Sequence, residues 1–212
     1  PWWSFALEES RTGNIANQNS LRTIRGCIVN TYALNLAQGE PVTQEIGFVG
    51  QIGSWFSGAT TAVTAGSNRP YLWSDGIFQI AGTTYESVKS LSFNINNNFE
   101  RPHYVNGSLH IAVPYPLNRD YTVEVTQDMD ATQIGSLYDT HFKGGSLFNA
   151  LLDINNTVNT GSHRLQVTFS GCRMIEVGIP VEVGGVSEIN YTFVPGSVSA
   201  VAFDRQEFYS IF

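Results

Sequence analysis

Two segments of this chain match each other at a constant offset of 145 residues, and each has the pattern of a long β-hairpin. Gly26-Cys27 opens the first and Gly171-Cys172 the second. Each continues as a strand-like run, turns at Gln38-Gly39-Glu40 or at Val183-Gly184-Gly185, returns, and closes on Phe-Val with Gly50 or Gly196. Apolar residues fall on even positions in the first segment (Ile28, Tyr32, Leu34, Leu36, Val42, Ile46, Phe48). They fall on odd positions in the second (Ile175, Val177, Ile179, Val181, Ile189, Tyr191, Phe193). An odd offset makes these the same face, because side chains alternate along a strand. The opposite face carries Glu45 in the first hairpin and Glu176, Glu182 and Glu188 in the second, with no Lys or Arg.

The rest of the chain is also β-rich. Twenty Gly, nine Tyr and thirteen Phe favour pleated strands and tight turns over helices. Tyr121 to Val125, Arg164 to Phe169 and Val88 to Ile95 alternate with the period of two of half-buried strands. One segment predicts an α-helix: Asp130 as N-cap, Gln133 three residues on, Ile134, Leu137, Tyr138 and Phe142 as an apolar stripe, and Gly144-Gly145 as terminator. Residues 1–20 read as an N-terminal arm and 21–212 as a single domain, with a loop insertion at about 51–80 where Gly, Ser, Thr and Asn accumulate.

Composition excludes several function classes. Eighteen acidic residues against eleven basic ones give a net charge of -7, which disfavours a protein that binds by neutralising phosphates. No apolar run approaches the ~18 residues that span a bilayer, so no membrane partner is expected. The opening Pro1-Trp2-Trp3-Ser4-Phe5 lacks the basic flank of a secretion signal and reads as an arm or a trimmed terminus. Cys27 and Cys172 are too few for a disulfide framework or a zinc site; two buried thiols and a single disulfide both remain open. His103, His110, His141 and His163 form no recognisable set with the acids, and no cofactor, metal or catalytic residue is expected.

Gly26-Cys27-Ile28-Val29-Asn30 with Gln38-Gly39-Glu40 and Gly47-Phe48-Val49-Gly50 resembles the first hairpin of siphovirus-type tail tube proteins of tailed viruses. Val88 to Asn98 resembles that family's strand ending in an Asn-rich turn, Tyr121 to Val125 the strand leading to its helix, and Gly171 to Phe193 its late hairpin. The resemblance implies a two-sheet β-sandwich or barrel-like fold with one flanking α-helix. Its long hairpins would join those of neighbours into an inner β-barrel.

On that reading the chain is a structural virion protein, not an enzyme, assembled in the host cytoplasm. Rings of six stack into a tube through which DNA is ejected. The partners implied are further copies of the chain, a tape-measure protein, terminator and baseplate or hub proteins, and viral DNA passing without specific binding. Glu45, Glu176, Glu182 and Glu188 would line the lumen, where like charge repels the polyanion. Gln38, Gly39, Glu40, Gly184 and Gly185 at the hairpin turns, and the aromatic Trp2, Trp3, Phe5, Phe208 and Phe212 near the termini, are the expected contacts between subunits. Two alternatives share the composition: a β-sandwich receptor- or carbohydrate-binding module with Trp55, Tyr71 and Trp73 as a stacking platform, and a tail-end hub ring of the same fold.

Overall fold

A computed structural model describes residues 5–12, 19–57, 70–100, 117–129, 135–156, 163–179, 187–204 and 207–210. The described residues hold thirteen strands. These are β1 (Phe5–Thr12), β2 (Asn19–Ala37), β3 (Thr43–Val49), β4 (Ile52–Ser57), β5 (Gly76–Ile80), β6 (Thr83–Thr84), β7 (Val88–Asn96), β8 (Asp120–Asp128), β9 (Phe148–Asn156), β10 (His163–Gly178), β11 (Glu188–Val194), β12 (Ser197–Asp204) and β13 (Glu207–Ser210). A one-turn 3-10 helix covers Trp73–Asp75 and a longer helix Ser136–Lys143. The chain forms two compact units, the first comprising Pro1–Tyr32, Glu45–Ser67 and Ile95–Asp120, the second Ala33–Gln44, Asn68–Asn94 and Tyr121–Phe212.

The first unit is organised by β2, which is paired on both sides: Ile24 stands opposite Leu7 of β1 and opposite Gly53 of β4, both antiparallel. The expected arm therefore contributes a strand, and the stretch at 51–80 holds β4 and β5 as well as the segment between them. Gly53 and Ser54 conceal β4 in the sequence because neither favours a strand. Thr23, Cys27, Val49, Ile95 and Phe99 are buried.

The Asn-rich turn works as a clamp. Asn97 donates its backbone N–H to Asn30 O at 2.8 Å and its side-chain amide to Val29 O at 2.9 Å, while Phe99 N–H donates to Asn30 Oδ1 at 3.0 Å. Asn98 takes a left-handed backbone, φ +47°, which Asn tolerates, and its amide donates to Asn118 O at 2.8 Å.

The second unit contains a sheet in the order β7-β8-β11-β10-β9-β5-β6, with β12 and then β13 added beside β10. Phe93 on β7 and Phe169 on β10 lie three strands apart in that order, yet their ring centroids are 5.0 Å apart; Phe78 on β5 and Phe193 on β11 meet at 6.5 Å. Flat strands three places apart would be separated by ~14 Å, so the sheet curls over a shared aromatic core, the barrel-like sandwich expected. Phe148 and Phe169 complete the contacts to Phe193, at 5.3 and 6.0 Å. Outside this core, Arg164 forks onto both oxygens of Asp153 at 2.5 and 2.6 Å and covers the Phe203 ring at 5.6 Å.

Both predicted hairpins form. In the second, Met174 pairs with Phe193, Glu176 with Thr192, Val177 with Tyr191 and Gly178 with Asn190. The inward face is corrected along β10: Leu165, Val167 and Phe169 are buried, then Cys172 and Met174, so the buried parity changes at Gly171, φ +61°. A second irregularity between Met174 and Glu176 restores odd parity at Val177 and leaves Ile175 exposed. Ile179, at the strand end, is exposed as well. In the first hairpin Leu34 and Leu36 are buried as expected, but Ile46 and Phe48 are exposed, because β3 is open on both faces until Val49.

The helix also departs from its expected form. Asp130, Gln133 and Ile134 lie outside the described residues. Over Ser136–Lys143 the helix is of π type, its end marked by Gly144 N–H donating five residues back to Asp139 O at 3.0 Å. The wider turn brings Leu137 and His141 inward, with the His141 ring 4.8 Å from Phe148, and sends Tyr138 and Phe142 outward.

Ile80 pairs with Thr83 across a two-residue loop in which Ala81 has φ +50° and Gly82 φ +80°, a type I′ turn. Alanine in that conformation costs on the order of 1 kcal/mol. Ala81→Asn is expected to raise stability by about 0.5–1 kcal/mol, read as a higher urea midpoint; a lower midpoint would mean that the added carboxamide costs more at this turn than the relieved backbone strain returns.

Candidate assembly surfaces

The tip of the first hairpin is rigidly held. Gly39 has φ +82°, a conformation that glycine adopts without strain, and Glu40 N–H closes the turn on Ala37 O at 3.0 Å. Gln38 N–H donates to Lys89 O at 2.9 Å, Val42 N–H to Tyr71 O at 2.9 Å and Trp73 N–H to Glu40 O at 3.2 Å, so the tip is tied on two sides. Gln38, Gly39 and Glu40 are all exposed.

The second unit presents an acidic sheet face. β8 buries Val123, Val125 and Gln127, and β11 buries Ile189, Tyr191 and Phe193, so alternation turns Glu124, Asp128 and Glu188 to the opposite face. Register places Glu188 opposite Asp128, and Thr192 opposite Glu124 on one side and Glu176 on the other. Four carboxylates thus share one face. Beside Glu124 lies a trough of ≈ 470 Å³ lined by Asn35, Ser92, Thr126, Asn190 and Thr192 together with Leu36, Leu91 and Val125. Ser92 donates to Asn35 Oδ1 at 2.8 Å.

Lys89 of β7 reaches the end of this face, 2.6 Å from Asp128 Oδ1 and 2.7 Å from Glu188 Oε1. Hydrogen bonds to Asp128 and then Glu188 push its ammonium up to about 12. Glu188 is therefore locally neutralised, whereas Glu176 and Glu124 are exposed. Sequence reasoning missed Glu124, Asp128 and Lys89. Glu124 was within reach, since it sits on the wet side of an alternating run; Lys89 required knowledge that β7 neighbours β8.

Of the other expected residues, Glu45 is exposed on β3 in the first unit. Phe5 lies in β1 opposite Cys27, and Phe208 in β13 opposite Phe203. Trp2, Trp3, Glu182, Gly184, Gly185 and Phe212 fall outside the described residues, as do His103 and His110. Trp55 lies on β4 of the first unit. Tyr71 and Trp73 belong to the second, where Trp73 borders a cleft of ≈ 390 Å³ with Ile77, Phe78 and Tyr85.

Among the described residues large apolar side chains are exposed at several places, Ile77, Leu117 and Ile175 among them. On the first hairpin Ile46 is 45% and Phe48 37% exposed. On and after the helix Tyr138 is 38%, Phe142 37% and Leu147 65% exposed, and the Tyr138 and Phe142 rings lie 5.7 Å apart.

Cys27 and Cys172 are both free and buried. Cys27 Sγ donates to Ile24 O at 3.3 Å, and burial pushes the Cys172 thiol up to about 11, which keeps it protonated and unreactive near neutral pH. Among the described residues no group of three His, Cys, Asp or Glu side chains could hold a metal, and no helix is long and apolar enough to cross a membrane.

The second unit is thus a curled β-domain with an acid-bearing sheet face and a braced hairpin tip at Gln38 to Glu40. The chain belongs to the phage tail tube protein family, whose model matches residues 4–200. It is a structural component of the virion tail and not an enzyme. Among solved structures it is similar to Hcp1 from Flavobacterium johnsoniae, at 11% identity over 61% of this chain and 98% of that one, TM-score 0.40. It is also similar to the anti-feeding prophage cap (AFP tube terminating cap), at 11% identity over 68% of this chain and 99% of that one, TM-score 0.48. No curated protein sequence matches it.

Proposed function

We propose that copies of this chain close into rings of six that stack into the hollow tail tube of a siphovirus-type virion, through which DNA is ejected. The observation that carries this reading is the sheet face bearing Glu124, Asp128, Glu176 and Glu188 around hydroxyl and amide side chains. Such a face stays hydrated and repels a polyanion, which suits a wall that DNA must pass without sticking. Glu45 and Glu182 are assigned to the lumen on the same reading.

Hairpin strands that pair with those of the next copy remove exposed sheet edges, which otherwise invite uncontrolled aggregation. The tip at Gln38 to Glu40, the turn at Gly184-Gly185 and the aromatic Trp2, Trp3, Phe5, Phe208 and Phe212 serve as contacts between subunits. A tape-measure protein occupies the lumen during assembly, and terminator and baseplate or hub proteins close the ends.

The test is negative-stain electron microscopy of the purified protein, concentrated without other virion components. Hollow filaments, or rings with six-fold averages that stack, are expected. Monomers that persist at high concentration would sink the conduit reading and favour a binding module. Single rings that never stack would favour a tail-end hub.

A further inference from the structure

We propose that Gln127 and Tyr191 form a register lock: their buried hydrogen bond selects the observed pairing of β8 with β11 over a slipped one that apolar alternation accepts equally well. The lock acts within one subunit, so it is independent of the conduit reading. Gln127 is 0% and Tyr191 1% exposed, and the Tyr191 hydroxyl donates to Gln127 Oε1 at 3.0 Å. Burial, aided by nearby Tyr85, pushes the Tyr191 phenol well above its usual range and keeps it a neutral donor.

Stability alone gives no reason for a glutamine at this place. Gln127 stands opposite Ile189, and its Nε2 finds no hydrogen-bond partner among the described residues. A buried amide with an unmet donor costs stability, and apolar side chains in place of both partners are neutral or favourable. What the pair supplies is a distinction between registers.

The two strands need one. β8 turns Val123, Val125 and Gln127 inward and β11 turns Ile189, Tyr191 and Phe193, so a slip by two residues keeps every side chain on its face. In the observed register Val125 stands opposite Tyr191, and Gln127 is the diagonal neighbour, within reach of two long side chains. A slip that sets Val123 opposite Tyr191 would match Val125 with Ile189 and Tyr121 with Phe193, an unbroken apolar row. Inside the core the polar pair rejects it, because Gln127 would then lie four residues along β8 from the partner of Tyr191, ~14 Å away. On the wet face the slip also parts Glu188 from Asp128 and breaks the Lys89 fork, but those groups are partly exposed, and exposed ion pairs contribute little. The same slip would move Glu124 out of its row with Thr192 and Glu176, so the lock also fixes the acidic face.

Disulfide trapping during refolding reads the register. Thr126 stands opposite Asn190, whereas Glu124 is diagonal to Asn190 at ~7–8 Å between Cα atoms, beyond the span of a disulfide. Thr126→Cys/Asn190→Cys therefore reports the observed register and Glu124→Cys/Asn190→Cys the slipped one, and mass mapping of the linked peptides separates both from Cys27 and Cys172. Each is refolded from urea in a glutathione redox buffer, and the first should form its disulfide in every background. The slipped disulfide is expected to be at least about fivefold more abundant in a Gln127→Met/Tyr191→Phe background than in the wild-type background, the weight of one net hydrogen bond. The urea midpoint of Gln127→Met/Tyr191→Phe is expected at or above the wild-type value, and that of Tyr191→Phe alone below it. A slipped disulfide as scarce as in the wild-type background would overturn the lock. So would a lower midpoint, or no cooperative unfolding, for Gln127→Met/Tyr191→Phe, since the pair would then be a prop of stability.

Discussion

Phe193→Ala is expected to lower the unfolding free energy by about 3–5 kcal/mol. Phe193 is fully buried and its ring meets Phe148, Phe169 and Phe78, which come from three different strands. Truncation removes the transfer free energy of the ring and leaves a cavity bounded by strands that are fixed in a curled sheet and cannot collapse freely. Phe142→Ala is the control: that ring is partly exposed, and the change should stay within about 0.5 kcal/mol in the monomer. Urea denaturation followed by tyrosine fluorescence gives both values, a shifted midpoint at constant slope marking a pure stability change. A loss below about 1 kcal/mol for Phe193→Ala would mean that the four rings do not form one core.

Phe193 also shows how far the sequence could be read. Its place on the inward face followed from alternation and from the match between the two hairpins, and β11 buries Ile189, Tyr191 and Phe193 as that pattern requires. The facing strand could not be read in the same way. Alternation carries no information about bulges, and the parity changes at Gly171 and again before Glu176 moved Cys172 and Met174 inward and Ile175 outward.

Ile46 and Phe48 show a different limit. Their apolar pattern marks a face to be covered, but alternation does not say whether the cover comes from the same chain or from another. The helix was legible in its residues and its Gly144-Gly145 end, yet one extra residue per hydrogen-bonded loop exchanged His141 for Tyr138 and Phe142 on the inner face. Glu176 and Glu188 were marked because they lie within the repeat. Glu124 and Asp128 join Glu176 and Glu188 only through the pairing of β8 with β11, a contact between residues some sixty positions apart that no local pattern encodes.

That pairing decides which residues to change in testing the lumen. Glu124→Lys/Glu176→Lys reverses the two exposed carboxylates of the acidic face and spares Glu188 and Asp128, whose bonds to Lys89 hold β7, β8 and β11 together. Neither Glu124 nor Glu176 is buried, so the fold should survive the double change, and tubes should still form. Around a closed ring the two substitutions repeat in every copy, so the wall becomes a band of closely spaced ammonium groups. DNA that passes the wild-type tube should then be retained, through neutralised phosphates and released counterions.

The expected signature is salt dependence: retention at ~50 mM salt that weakens by about 10³-fold at ~200 mM for six or more phosphate contacts. Filter binding of DNA to isolated tubes across that range measures it, and virions carrying the variant should eject DNA more slowly at low salt and recover at high salt. Binding to the outside of the tube is separated by size, since DNA fragments too stiffly looped to enter a lumen would still bind an outer surface. Variant tubes that ignore linear DNA at low salt would show that Glu124 and Glu176 do not face the conduit, even if the tube itself is hollow.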